Sequence, residues 1–237
     1  TGFTANATIG DFFDRLICHS CEPYAILGGV TNNSTEYSGT TNSENNTSTK
    51  SNSSSLSGQS TAENTGLAVF KDDVLVGELN SIETLCFSII RNQVDGFLIS
   101  VPNPNKANSY IDLHVTPLVS PKIDVKISNG TPYITVDCRF TGRIYSMEDS
   151  SDYLNDDTLN QISNSCNSYL ESILTEYLYK TAKALNSDIN GFGKVAREHF
   201  LTLNDFYDYN WGEKYKDSFF EVTVDSSIRS SSMLTES

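Results

Sequence analysis

Long hydrophobic runs are missing from this 237-residue chain. Its longest apolar stretches fall short of the roughly 18–20 residues that a membrane-spanning helix needs. Positive charge is scarce too: 16 Lys and Arg stand against 30 Asp and Glu, a formal net charge of −14. Binding a nucleic-acid backbone requires clustered cations that neutralise phosphates, and docking on an anionic bilayer requires a basic face. The balance argues against both and fits solubility through self-repulsion. Histidine is limited to His19, His114 and His199, far apart and in no triad or metal-site spacing. The five cysteines (Cys18, Cys21, Cys86, Cys138, Cys166) are an odd, scattered set, not the framework of a disulfide-stapled domain. They read as mostly buried free thiols. The chain opens at Thr1 with neither an initiator Met nor a signal-peptide pattern, which is expected of a processed chain or an excised piece.

What is present has a clear order. A short helical pattern over residues 9–18 precedes an apolar run, residues 24–30, broken by Gly28 and Gly29. Ser, Thr and Asn then dominate residues 31–65, with Tyr37 and Leu56 the only large apolar side chains. Such a segment cannot bury enough surface to offset its ordering entropy, so a mobile loop is expected. Two short strands follow, residues 67–70 and 74–77, across Asp72-Asp73, a tight-hairpin pattern. Asn80 and Glu83 form a capping box before Ile82, Leu85, Cys86, Ile89 and Ile90 at helical spacing. Period-two alternation then marks strands around residues 111–115, 123–127 and 134–140, the last two joined by Asn129-Gly130, a strong hairpin signal. From about residue 156 to 186, apolar side chains recur every three or four positions, predicting a long amphipathic helix that covers the sheet. A shorter helix is predicted over residues 191–200, and the chain ends in an alternating strand at 220–224 and a polar tail. The fold class is therefore α+β: a mainly antiparallel sheet packed on a long amphipathic helix, with part of a second α+β domain at the N-terminus. Residues 1–95 are expected to be the C-terminal part of that upstream domain, and residues 97–237 the C-terminal domain.

Few residues invite a chemical reading. Cys18-His19-Ser20-Cys21 has CxxC spacing, but it lies at the end of a helical stretch, whereas a redox pair uses a helix N-terminus to lower its thiol pKa. Gly191-Phe192-Gly193-Lys194-Val195-Ala196 formally matches a dinucleotide fingerprint, yet it follows a long helix instead of a strand, and Val195 replaces the hydroxyl residue of a P-loop. Close backbone packing explains those glycines better. Glu148, Asp149, Asp152, Asp156 and Asp157 lack the ligand order of a calcium loop and suit the positive end of the long helix's dipole. Trp211, set among Phe206, Tyr207, Tyr209 and Tyr215, reads first as core, and is also the best candidate in the chain for an interaction surface. No catalytic set, cofactor site or metal site emerges, and the chain reads as non-enzymatic.

Three segments, taken in order, resemble the Ger(x)C family, the C subunits of spore germinant receptors in endospore-forming bacteria. They are the hairpin carrying Gly66, Phe70 and Gly77, the run Asp188-Ile189-Asn190-Gly191-Phe192-Gly193, and the tryptophan region over residues 211–224. The first thirty residues are similar to the segment just upstream of the family's hairpin. The resemblance implies a lipoprotein held by an N-terminal lipid anchor on the outer face of the spore inner membrane. It implies membrane-embedded A and B subunits as partners, an α+β fold, and no enzymatic activity. The chain departs from the family where Cys86 stands in place of an expected small residue, and in its insert at 31–65. Two other readings stay open: an extracytoplasmic thiol oxidoreductase using Cys18 and Cys21, and a ligand-binding surface lipoprotein.

Overall fold

In a computed structural model, the structure describes residues 7–31, 61–147 and 155–229. Helix α1 (Ile9–Leu16) opens with a reciprocal capping box between Thr8 and Asp11, which satisfies two orphan donors at once. Strands β1 (Tyr24–Thr31), β2 (Thr61–Lys71) and β3 (Val74–Leu79) form an antiparallel sheet in that order. The β2–β3 turn uses Asp72 at positive φ, a conformation Asp tolerates through local hydrogen bonding. Helix α2 (Ser81–Ile90) follows, capped by Asn80 and Glu83 as its sequence predicts.

The second sheet carries β4 (Phe97–Pro102), β5 (Tyr110–Pro117), β6 (Lys122–Ser128) and the 17-residue β7 (Thr131–Met147). Its length lets β7 pair antiparallel with β6 through residues 131–137 and with β5 through residues 140–147. Asn129 and Gly130, both at positive φ, close the β6–β7 hairpin, the geometry that favours Asn-Gly. Helix α3 (Asp156–Tyr179) continues into a π-helical turn, Lys180–Ala184. Short helices α4 (Phe192–Ala196), α5 (Leu203–Tyr209) and α6 (Trp211–Lys214) lead to β8 (Phe219–Arg229).

Strand β8 joins β7 in parallel, from Tyr133↔Phe219 to Arg143↔Arg229. Sequence alternation marks a strand without giving its direction. A parallel pair needs a crossover connection, and the helical stretch from α3 to α6 supplies one. Helix α3 packs against both β4 and β8, burying Ile162, Cys166, Leu170, Leu174, Tyr177 and Leu178. The outer edge of β8 would leave N–H groups unpaired; instead Val224 N donates to Glu171 Oε1 (2.9 Å) and Ile228 N to Ser163 Oγ (3.2 Å).

One hydrophobic core runs through both sheets, from Tyr24, Leu67 and Leu79 to Val136, Leu174 and Val224. The Ser/Thr/Asn-rich segment is shorter at both ends than its composition suggests. Thr31 lies in β1 and residues 61–65 in β2, paired across Val30↔Ala62 and Thr31↔Thr61. Tertiary pairing there overrides local polarity. The expected mobile loop otherwise lies outside the described residues, as do Glu148, Asp149, Asp152 and the polar tail from 230 onward. Asp156 and Asp157 sit in the first turn of α3, where the helix dipole favours negative charge.

Candidate functional site

The most unusual chemistry in the fold gathers where α3 ends. Asp188 is 2% exposed, and both of its carboxylate oxygens are engaged. Oδ1 accepts from the backbone N–H of Gly191 (2.8 Å) and of Phe192 (3.0 Å). Oδ2 accepts from Gly193 N (2.8 Å) and from the Trp211 indole Nε1 (2.9 Å). Burial raises the Asp188 carboxyl above its ordinary value and outweighs the four donors, which pull it down. Every neighbour donates and none accepts, so the geometry is that of a carboxylate.

The glycines are required here for two different reasons. Gly191 has φ +82°, a left-handed conformation that disfavours any side chain. At Gly193 a Cβ would fall 2.6 Å from Ser20 O and from the Trp211 ring, so backbone and indole can meet only if that position is bare. The N–H groups that a nucleotide phosphate would use are thus occupied by the chain's own carboxylate. The resemblance of residues 191–196 to a dinucleotide loop ends there.

Around this turn several elements converge. Glu22 N donates to Asp188 O (3.0 Å) and Phe70 N to Pro23 O (3.1 Å). Ser187 Oγ donates to Phe70 O (2.6 Å). Arg15 is buried; its Nε donates to Glu22 O (2.8 Å), its second guanidinium nitrogen donates to Ile189 O, and its guanidinium lies 4.9 Å from the Tyr24 ring centroid. Arg91 donates to Asn190 O (3.2 Å), and Tyr177 Oη donates to Asn190 Oδ1 (3.1 Å). The turn therefore fastens α1, the β2–β3 hairpin, α2, the end of α3 and the tryptophan helix to one another.

Of the seven signature residues, Asp188, Gly191, Phe192 and Gly193 form this turn. The Phe70 carbonyl accepts from Ser187 beside it, while Gly66 and Gly77 relieve close contacts elsewhere. Phe70 packs edge-on against Phe12 with ring centroids 5.1 Å apart. Gly66 lets β2 pass the Leu79 carbonyl, and Gly77 leaves room for Leu185, whose Cδ2 would lie 2.5 Å from an added Cβ. Phe192 is buried and stacks near Tyr215, centroids 6.3 Å apart. Trp211 is 2% exposed, so the interaction-surface expectation is corrected. Its indole is spent on Asp188 because an N–H buried in a core needs an acceptor. Arg15 escaped the sequence reading; its only signal is a lone cation closing an otherwise apolar and acidic helix.

Cys18 and Cys21 lie on the rim of the junction with their Sγ atoms 2.6 Å apart. Cys18 also touches Ser20 Oγ (3.3 Å). Burial raises the Cys18 thiol, and hydrogen bonds from Cys21 and Ser20 outweigh it, leaving its pKa lowered; burial pushes Cys21 up to about 12. Cys86, Cys138 and Cys166 are buried free thiols, all raised by burial. His19 packs against Tyr207 at 5.1 Å. Among the described residues no cluster of His, Cys, Asp and Glu is arranged to hold a metal, and no helix is long and apolar enough to cross a membrane.

What the fold and junction define is an α+β protein whose buried acid serves its own backbone. The chain belongs to the family described as spore germination B3/GerAC like, C-terminal, whose model matches residues 65–232. Its fold is similar to that of the crystal structure of the GerBC protein, with a TM-score of 0.58 and 18% identity, covering 71% of this chain and 52% of that one. The chain thus spans about half the length of that structure. No curated protein matches it.

Proposed function

We propose that this chain is the C-terminal part of a germinant-receptor C subunit that acts in spore germination without catalysis. In this reading it works through protein contacts with membrane-embedded A and B subunits, from a lipid-anchored position on the outer face of the spore inner membrane. The division near residue 96 belongs to the same reading, with residues 1–95 completing an upstream domain that packs on the C-terminal one. The observation that carries the proposal is the internal use of the signature: Asp188, Gly191, Gly193 and Trp211 satisfy one another, leaving nothing to present to a substrate. Family membership supplies the process. Deleting the gene is expected to abolish nutrient-triggered germination while dormant spores stay viable and respond to a receptor-independent trigger. Normal nutrient germination in that strain sinks the proposal.

A further inference from the structure

We propose that Cys18 and Cys21 form a reversible structural disulfide that closes the 18–21 turn against the Asp188 junction. Three features place it there. The thiols already touch, with Cys21 Sγ donating to Cys18 Sγ at 2.6 Å. They differ in access: Cys18 is half-buried and Cys21 is buried. The segment they bracket is also part of the junction. The carbonyl of Ser20 lies against Gly193, and a Cβ on Gly191 would sit 3.6 Å from Cys21 Cβ. Oxidation would therefore fix the stretch of chain that lines the glycine turn from the α1 side.

The pair is built for structure and not for catalysis. Redox enzymes place the attacking thiol at a helix N-terminus, where the dipole stabilises the thiolate. Here Cys18 follows Ile17, the C-cap of α1, the end whose partial charge is negative. The remaining three cysteines are buried on other elements, Cys86 on α2, Cys138 on β7 and Cys166 on α3, and offer no competing partner.

The oxidant required is a disulfide compound, such as oxidised glutathione or a protein disulfide. The Cys18 thiolate attacks one sulfur of that disulfide, forming a mixed disulfide and releasing one thiolate. Cys21 then gives up its proton to the released thiolate and attacks the Cys18 sulfur, expelling the second thiolate. The protein dithiol is oxidised by two electrons, and the attacked disulfide is reduced to two thiols, the second thiolate taking up the proton that Cys18 had lost.

The test equilibrates the folded protein with mixtures of reduced and oxidised glutathione, traps thiols by alkylation, and reads intact mass, tryptic peptides and melting temperature. The expected result is a loss of 2 Da confined to the peptide that holds Cys18 and Cys21, with the other three cysteines alkylated only after unfolding. The oxidised protein is expected to melt higher than the reduced one. The variant C18S/C21S is expected to melt with the reduced protein and to show no response to the glutathione ratio. Persistence of two alkylated thiols at excess oxidised glutathione overturns the proposal. So does a stable glutathione adduct on Cys18, or an oxidised protein that melts no higher than the reduced one.

Discussion

Asp188 and Glu171 both accept backbone N–H groups, and they do so in opposite surroundings. Asp188 sits in the core with three backbone donors and an indole. Glu171 reaches from α3 to the edge of β8 and accepts one N–H, that of Val224, at a part-buried position. Water can replace Glu171 at the strand edge. None can reach Asp188 without taking the junction apart. A hydrogen bond contributes modestly when solvent stands ready to substitute, and its loss is expensive when it does not. The contrast explains why one acid holds several elements together while the other trims an edge.

Breaking the buried side should cost most. Asp188→Ala leaves four buried donors without an acceptor and is expected to destabilise the protein by about 3–5 kcal/mol, measured by urea denaturation. Gly193→Ala forces a methyl group against Ser20 O and the Trp211 ring, and a loss of about 1–3 kcal/mol is expected. A loss near zero would mean the turn moves freely. At the β8 edge, Glu171→Ala should cost no more than about 1 kcal/mol, read in the same assay.

The smallest effect belongs to Glu213, which is exposed and pairs with Lys71 (3.1 Å) and Lys216 (3.3 Å). Hydrogen bonds from Lys71 and Lys216 lower its pKa from 4.5. A lowered carboxylate stabilises the fold above its unfolded value and loses that contribution as pH falls through the folded one. Glu213→Gln should therefore differ most from the parent above about pH 4.5 and progressively less as pH falls below it, and the difference should shrink at high salt. A difference in melting temperature between the two proteins that stays constant across this pH range would contradict this.

Much of the fold was legible because its signals are local. Asn80 and Glu83 announce the start of α2, Asn129-Gly130 its hairpin, and the three-four spacing from Leu159 to Leu185 the long helix. What local signals do not carry is partner choice. Nothing in the alternation of residues 220–224 says that β8 runs parallel to β7, and β4 is too short and mixed to stand out. Residues 61–65 look like loop until β1 pairs with them. The junction itself was half legible: Gly191 and Gly193 pointed to close packing, but the acceptor that fills the turn is three residues upstream. Trp211 shows the same limit, since an indole among aromatics reads alike whether it faces a partner or a buried carboxylate. Arg15 joins residues from distant parts of the chain, which no spacing rule reveals.

The comparison of the two acids is tested most directly by isosteric exchange at both sites. Asp188→Asn and Glu171→Gln each keep side-chain shape and replace a carboxylate oxygen by an NH2 group, which at Asp188 must face a donor whichever way the amide turns. Urea denaturation of the two variants beside the parent is expected to show a loss of about 3 kcal/mol or more for Asp188→Asn and less than about 1 kcal/mol for Glu171→Gln. Equal losses at both positions, or a near-silent Asp188→Asn, would contradict the claim that this buried acid holds the junction together.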